Sequence, residues 1–276
     1  MVIIIGKNSN LSKMLQKNII NSILISSQNI LKELNQINFF QKKDITIIFN
    51  NFQVSTKLND LSTPVEYINR SIVSTSVVLE YIKKNKLTIA KIIYTSSSSV
   101  YGNNILCSEN DAVQPLNLHA SLKVANENLI KKFCLDNTID YTIARIFNMY
   151  GKDDNFSIIS KIIDAYTKNK ILMVVNAGDG IRDFINIEDV VYIYKQILIK
   201  RDIALLNIGT GKGLSIHSIL SDLKDKNFII QTDTIQREEL KTSTANISKL
   251  KDIIGDYNFQ NVKNYIEERL KEKGDG

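Results

Sequence analysis

Short apolar runs alternate with segments of helical spacing over the first two-thirds of the chain, the pattern of a parallel sheet joined by crossover helices. Val2–Ile5 predicts a buried strand, followed by a turn and an amphipathic helix over Leu11–Ile20. Ser22–Ile25 predicts a second strand and Ile30–Ile37 a helix. Ile45–Phe49, bounded by Asp44 and the Asn50–Asn51 pair, predicts a third strand. Tyr67–Lys84 predicts a long helix, with Ile68, Ile72, Val73, Leu79 and Ile82 near helical spacing. Lys91–Thr95 then predicts a central strand running into the serine run Ser96–Ser99, Leu118–Asp136 a helix, and Tyr141–Phe147 a strand. Glycine usage changes along the chain: Gly6 is the only glycine before Gly102, whereas the later half holds the tight Asn207-Ile-Gly-Thr-Gly-Lys-Gly213 turn. A boundary near residue 151 follows, giving domains over 1–150 and 151–276, with later strands or helices returning to the first.

Composition narrows the class. The 276 residues are 43% apolar and 23% charged, as in a globular chain of one large or two fused domains. Net charge is +6, but the lysines are scattered among acids. No basic tract interleaves with aromatics, so no nucleic acid is expected as a partner. Cys107 and Cys134 are the only cysteines, too few for a disulfide framework and without metal-ligand spacing, so no metal is expected. The apolar opening is too short for a signal peptide, and no run of about 18 apolar residues occurs, so no membrane span and a cytoplasmic location are expected.

The first strand ends at Gly6-Lys-Asn-Ser-Asn-Leu-Ser12. A dinucleotide fold needs glycines here, so that backbone can approach a pyrophosphate at a helix N-terminus. Only the first glycine stands; Ser9 and Ser12 take the other two places, and Ser9 could offer its amide and hydroxyl to a phosphate. The second strand ends at Ser26–Ser27, without the carboxylate that grips a ribose 2′-hydroxyl. That favours a 2′-phosphorylated cofactor, NADP over NAD, with Ser27 and Lys7 as phosphate partners. Asn50, at the end of the third strand, joins the cofactor side.

The segment Tyr94-Thr-Ser-Ser-Ser-Ser-Val-Tyr-Gly102 resembles the extended short-chain dehydrogenase/reductases that modify nucleotide-linked sugars. The resemblance continues in family order through Pro115–Lys123 with Glu127, Arg145–Gly151, Gly178–Val190, Asn207–Gly213, and Arg237 with Ala245–Lys249. It implies a doubly wound Rossmann-like parallel sheet with a shortened first half, and a smaller C-terminal α/β substrate-binding domain. It implies a nicotinamide dinucleotide (NADP or NAD) and a nucleotide-linked sugar as ligands, chemistry that serves polysaccharide biosynthesis, and a chain that could pair as a homodimer. In that family a Ser or Thr, a Tyr, and a Lys four residues after the Tyr form the active site. Ser97 and Lys123 match; His119 stands in the Tyr place.

Three readings are open: His119 substitutes for the phenol, Tyr101 supplies it, or the site is catalytically silent. An ordinary imidazole titrates near 6.5. Acting through His119, an epimerase should lose activity below that pH, whereas a ketoreductase should gain it. Dehydratases of the family place an Asp-Glu pair where Ser98 and Ser99 stand, which leaves a 4-ketoreductase or a 4-epimerase. Asn148, Arg182 and Arg237, with Ser98, match substrate positions, the arginines suiting a diphosphate. The interval between Gly6 and Ile45 is short, so a strand–helix unit on the adenine side is expected to be missing.

Overall fold

The computed structural model describes residues 1–39, 44–51 and 62–274. They form two compact units that interleave along the chain: Met1–Val100, Ala112–Ile146 and Val191–Leu206 make one, Tyr101–Asp111, Phe147–Val190 and Asn207–Gly276 the other.

The first unit begins with β1 (Val2–Ile5), α1 (Asn10–Asn18), β2 (Ser22–Ile25), α2 (Ile30–Leu34) and β3 (Ile45–Phe49). A helix follows in three continuous pieces: α3 (Pro64–Ile68), a π-helical turn over Asn69–Val73, and α4 (Ser74–Lys84). Pro64 opens it because a first-turn residue needs no backbone donor. Asn51 reaches this π turn: its Nδ2 donates to the carbonyls of Arg70 at 3.2 Å and Ser71 at 3.4 Å and to the Ser74 hydroxyl at 2.9 Å. Then come β4 (Ile89–Ser97), a 3₁₀ turn over Ser98–Tyr101, β5 (Leu106–Cys107), α5 (Leu118–Asp136) and β6 (Asp140–Ile146).

The remaining elements are β7 (Asn148–Tyr150), α6 (Ile158–Thr167), β8 (Leu172–Val175), β9 (Ile181–Asn186), α7 (Ile187–Ile199), β10 (Leu205–Ile208), β11 (Gly213–Ser215), α8 (Ile216–Asp225), β12 (Thr232–Ile235), β13 (Thr242–Ala245), α9 (Ser248–Ile254) and α10 (Val262–Gly274). The main sheet has the order β10-β6-β4-β3-β1-β2, and its pairs from β2 to β6 are all parallel. In the usual dinucleotide-binding order a further strand lies beyond β2. Here β2 is the edge among the described residues, as the short Gly6–Ile45 interval led one to expect. Isoleucines of β1 and β3 pack with Val78, Leu79 and Ile82 of α4 and with Ile130 of α5 as this unit's core.

In the second unit a sheet runs β11-β9-β13-β5, with β7 also on β9. Its core joins Ile159, Ile162 and Ile163 of α6 to Ile219 and Leu223 of α8 and Ile266 and Leu270 of α10. Cys107 and Cys134 are buried free thiols. Among the described residues no helix is long and apolar enough to cross a membrane.

Candidate active site

Helix α5 is capped by Asn117, whose side chain accepts from Ala120 N at 2.9 Å. Its inward stripe is polar: Lys123, Asn126 and Glu127 are buried along with Ile130. The end of β4 receives them. Lys123 Nζ donates to Thr95 O at 2.7 Å and lies 5.0 Å from the centre of the Tyr94 ring. Glu127 takes a two-pronged grip from Arg145 of β6, Nη2 to Oε2 at 2.7 Å and Nε to Oε1 at 3.1 Å, and also accepts from Ser96 Oγ. Thr95 Oγ1 and the Tyr194 hydroxyl share a hydrogen bond of 2.6 Å. Residues 95 and 96 are thus fixed from both sides of the sheet just before Ser97.

Ser97 Oγ accepts from Ser99 N at 3.2 Å and from Ser99 Oγ at 3.0 Å. His119 lies one helical turn before Lys123 on α5 and feels its charge. Burial first, and the Lys123 ammonium second, push the His119 imidazole down to about 3. Burial likewise brings Lys123 down to about 7, against the pull of the Glu127 carboxylate. Both shifts run against an ordinary titration near 6.5 at His119: burial favours its neutral imidazole, and it draws the Lys123 ammonium down towards neutrality. Tyr101 is wholly buried in the second unit, and its hydroxyl donates to Asn207 Oδ1 at 2.7 Å. It is a strut of the fold, not an exposed phenol.

On the cofactor side, Gly6 has φ +113°, and a Cβ there would stand 2.1 Å from Asn50 O, so only glycine lets β1 and β3 end this close. Ser9 caps α1, its Oγ accepting from Ser12 N at 3.2 Å. Asn50 Nδ2 donates to both Ser9 Oγ and Ser12 Oγ, each at 2.8 Å. Ser12, expected on the cofactor side, is fully buried, and its hydroxyl is taken up by this internal contact. Lys7 is exposed and Ser27 half-buried. The end of β2 does carry a carboxylate, which sequence reading missed: Glu33, seven residues on, accepts from Ser26 N at 3.1 Å. The premise that favoured a 2′-phosphate, an acid-free strand end, is removed.

In the second unit, successive residues of β9 point to opposite faces. Asp183 turns inward and accepts from Thr210 N, Thr210 Oγ1, Gly211 N and Ala245 N at 2.6–3.2 Å, which pins the glycine-rich turn. Arg182 turns the other way and pairs with Glu239 at 2.9 Å. Asn148 Nδ2 donates to Asp183 O at 3.3 Å, and Arg237 is exposed. Ser98 is half-buried.

A model described as the NAD dependent epimerase/dehydratase family matches residues 6–209. The chain belongs to that family. A putative UDP-glucose 4-epimerase of Methanocaldococcus jannaschii is 29% identical over 201 residues, covering 70% of this chain and 64% of that protein. A GDP-6-deoxy-D-talose 4-dehydrogenase of Aggregatibacter actinomycetemcomitans is 27% identical over 201 residues, covering 68% of this chain and 67% of that one. About a third of each of these epimerase/dehydratase relatives lies outside the match. The structure of MoeE5 in complex with UDP-glucuronic acid and NAD superposes with a TM-score of 0.83 over 98% of this chain and 97% of that chain, at 21% identity. That likeness establishes the Rossmann-like α/β fold.

Proposed function

We propose that the chain reduces the 4-keto group of a nucleotide-linked sugar with a nicotinamide dinucleotide. One observation carries this reading: a buried Lys123 is anchored on Thr95 O at 2.7 Å, two residues before the Ser97 hydroxyl, while Ser98 and Ser99 offer hydroxyls where elimination needs carboxylates. The similarity to a 4-dehydrogenase supports it.

The β1–α1 turn fits a dinucleotide. Gly6 keeps the close β1–β3 approach, Ser9 caps α1, and the buried Asn50 Oδ1 has no hydrogen-bond partner among the described residues, leaving an acceptor for a hydroxyl donor. Gly6, Ser9 and Asn50 would hold the dinucleotide, with Lys123 at its nicotinamide end. When bound, it supplies the hydride. The chain supplies the proton. Lys123 Nζ is the donor, and the neutral His119 ring can pass the proton by accepting at one nitrogen as it releases from the other. Ser97 Oγ, with its own proton free to rotate, would donate to the carbonyl oxygen. Because the donor is the ammonium, the rate of reduction should be highest below about pH 7 and fall towards tenfold per pH unit above it, where Lys123 is neutral. A rate that turned instead at the ordinary imidazole value and vanished in His119→Phe would assign the proton to His119.

Glu33 makes NAD the preferred form, since its carboxylate beside Ser26 suits a ribose hydroxyl and repels a 2′-phosphate. Calorimetry with the two dinucleotides checks this: Glu33→Gln should erase a preference for NAD of about tenfold, an electrostatic difference of about 1.4 kcal/mol. Arg182→Ala and Arg237→Ala should each weaken nucleotide-sugar binding by about 1.5–3 kcal/mol, the range for hydrogen bonds to charged groups, and leave dinucleotide affinity unchanged. Equal losses for both ligands would indicate misfolding.

A second reading, a non-catalytic nucleotide-sugar-binding protein, is favoured by the Ser9–Asn50–Ser12 lock that fills the place of two glycines. It predicts nucleotide-sugar binding without any dinucleotide binding.

A further inference from the structure

Beyond the end of β8, Asn176, Ala177 and Gly178 take φ of +46°, +56° and +81°, a left-handed run that only glycine adopts without cost. A side-chain clasp accompanies it. Asn176 Nδ2 donates to Arg237 O at 2.7 Å, and Arg237 N donates back to Asn176 Oδ1 at 3.1 Å. The same Nδ2 lies 3.3 Å from Glu239 Oε1, while Glu239 Oε2 receives Arg182 Nη2 at 2.9 Å. Gly180 leaves the room: a Cβ there would come within 3.1–3.2 Å of the Arg182 guanidinium nitrogens and 3.2 Å of the Glu239 carboxyl carbon. One amide therefore fixes the strap that presents Arg237 outward and Glu239 to Arg182.

A guanidinium fork accepts a carboxylate and a phosphate in the same planar geometry. We propose that Glu239 is a built-in stand-in for the ligand's diphosphate, holding Arg182 in its binding geometry until phosphate oxygens displace the carboxylate. Asn176 is the positioning residue of the device, since it tethers the strap. Arg182 and Glu239 are only partly covered, with side chains 18% and 22% exposed, so the pair is weak enough to exchange. In the free protein the carboxylate spares Arg182 an unpaired, half-buried charge. On binding it becomes a competitor for the same guanidinium. The inference rests on the nucleotide-sugar reading above and adds a residue that acts against affinity.

Calorimetry on the full chain with UDP, dTDP, GDP and ADP in turn tests it, the tightest of the four being carried forward. Glu239→Gln should bind that nucleoside diphosphate about two- to fivefold more tightly than the unaltered chain, the upper span of an exchangeable surface pair. The gain should vanish in an Arg182→Ala background, a coupling that a structural role for Glu239 would not produce. Glu239→Ser, which keeps a polar side chain without the charge, should show the same gain and serves if the glutamine variant does not fold. Unchanged or weaker binding in folded Glu239 variants, with the unaltered chain binding normally, would overturn the inference alone. Failure of every nucleoside diphosphate to bind the unaltered chain would overturn the nucleotide-sugar reading and the inference with it.

Discussion

Lys123→Met should lower the rate of ketone reduction by about 10²–10⁴-fold, the usual contribution of a positioned acid–base group. The expectation rests on two features of one nitrogen. Its anchor on Thr95 O fixes it beside the Ser97 end of β4, and burial brings the ammonium to about 7, where a proton is readily given up. The His119 ring, held neutral, cannot replace it as the primary donor. Folding should not suffer in parallel. Burial already disfavours the charged form of Lys123, so an apolar side chain of similar length should leave the melting temperature unchanged or raised. His119→Tyr is a useful companion, since it restores the phenol of related enzymes beside the same ammonium. A variant that lost turnover and stability together would show Lys123 to be part of the framework instead.

Arg145→Met should destabilise the first unit by about 3–5 kcal/mol, the cost of leaving a buried carboxylate without its partner. Glu127 and Arg145 are only 6% and 5% exposed, and the guanidinium grips both carboxylate oxygens. Removing it leaves Glu127 with the Ser96 hydroxyl and the charge of Lys123, without the two-pronged guanidinium grip. The double replacement Glu127→Leu with Arg145→Met should recover most of the loss, because neither charge is then buried. Chemical denaturation of the single and double variants measures this, and equal losses in both would mean that the pair contributes net stability beyond mutual compensation. The double variant should nonetheless turn over slowly, since Glu127 is the carboxylate that holds Lys123 towards its charged form.

Periodicity and caps made much of this fold legible. Strands Val2–Ile5, Ser22–Ile25 and Ile45–Phe49 and helix Leu118–Asp136 have the bounds that alternation, β-branched runs and the Asn117 cap indicate. The helix over Tyr67–Lys84 starts earlier, at Pro64, and its π turn is invisible to spacing because it depends on the Asn51 side chain, some twenty residues away. Ser97, His119 and Lys123 stand out in the sequence because motifs carry them. Contacts between partners far apart in the chain escaped the sequence. Glu239 meets Arg182 across 57 residues and Tyr101 meets Asn207 across 106, and no local pattern marks either pair. Glu33 escaped because the carboxylate at the β2 end comes from the following helix rather than from the strand itself. The downward shift of the His119 imidazole is hidden from sequence for a related reason: burial is a tertiary property, and it is the larger cause, ahead of the neighbouring lysine.

The most direct measurement mixes the purified chain with NADH and a nucleoside-diphosphate 4-keto sugar and follows the near-ultraviolet absorbance of the reduced nicotinamide. The expected result is catalytic loss of that absorbance, dependent on both ligands, fastest below about pH 7 and abolished in Lys123→Met. No oxidation of NADH with any such sugar, from a chain that binds nucleoside diphosphates tightly, would contradict a reductase and leave an epimerase or a binding protein.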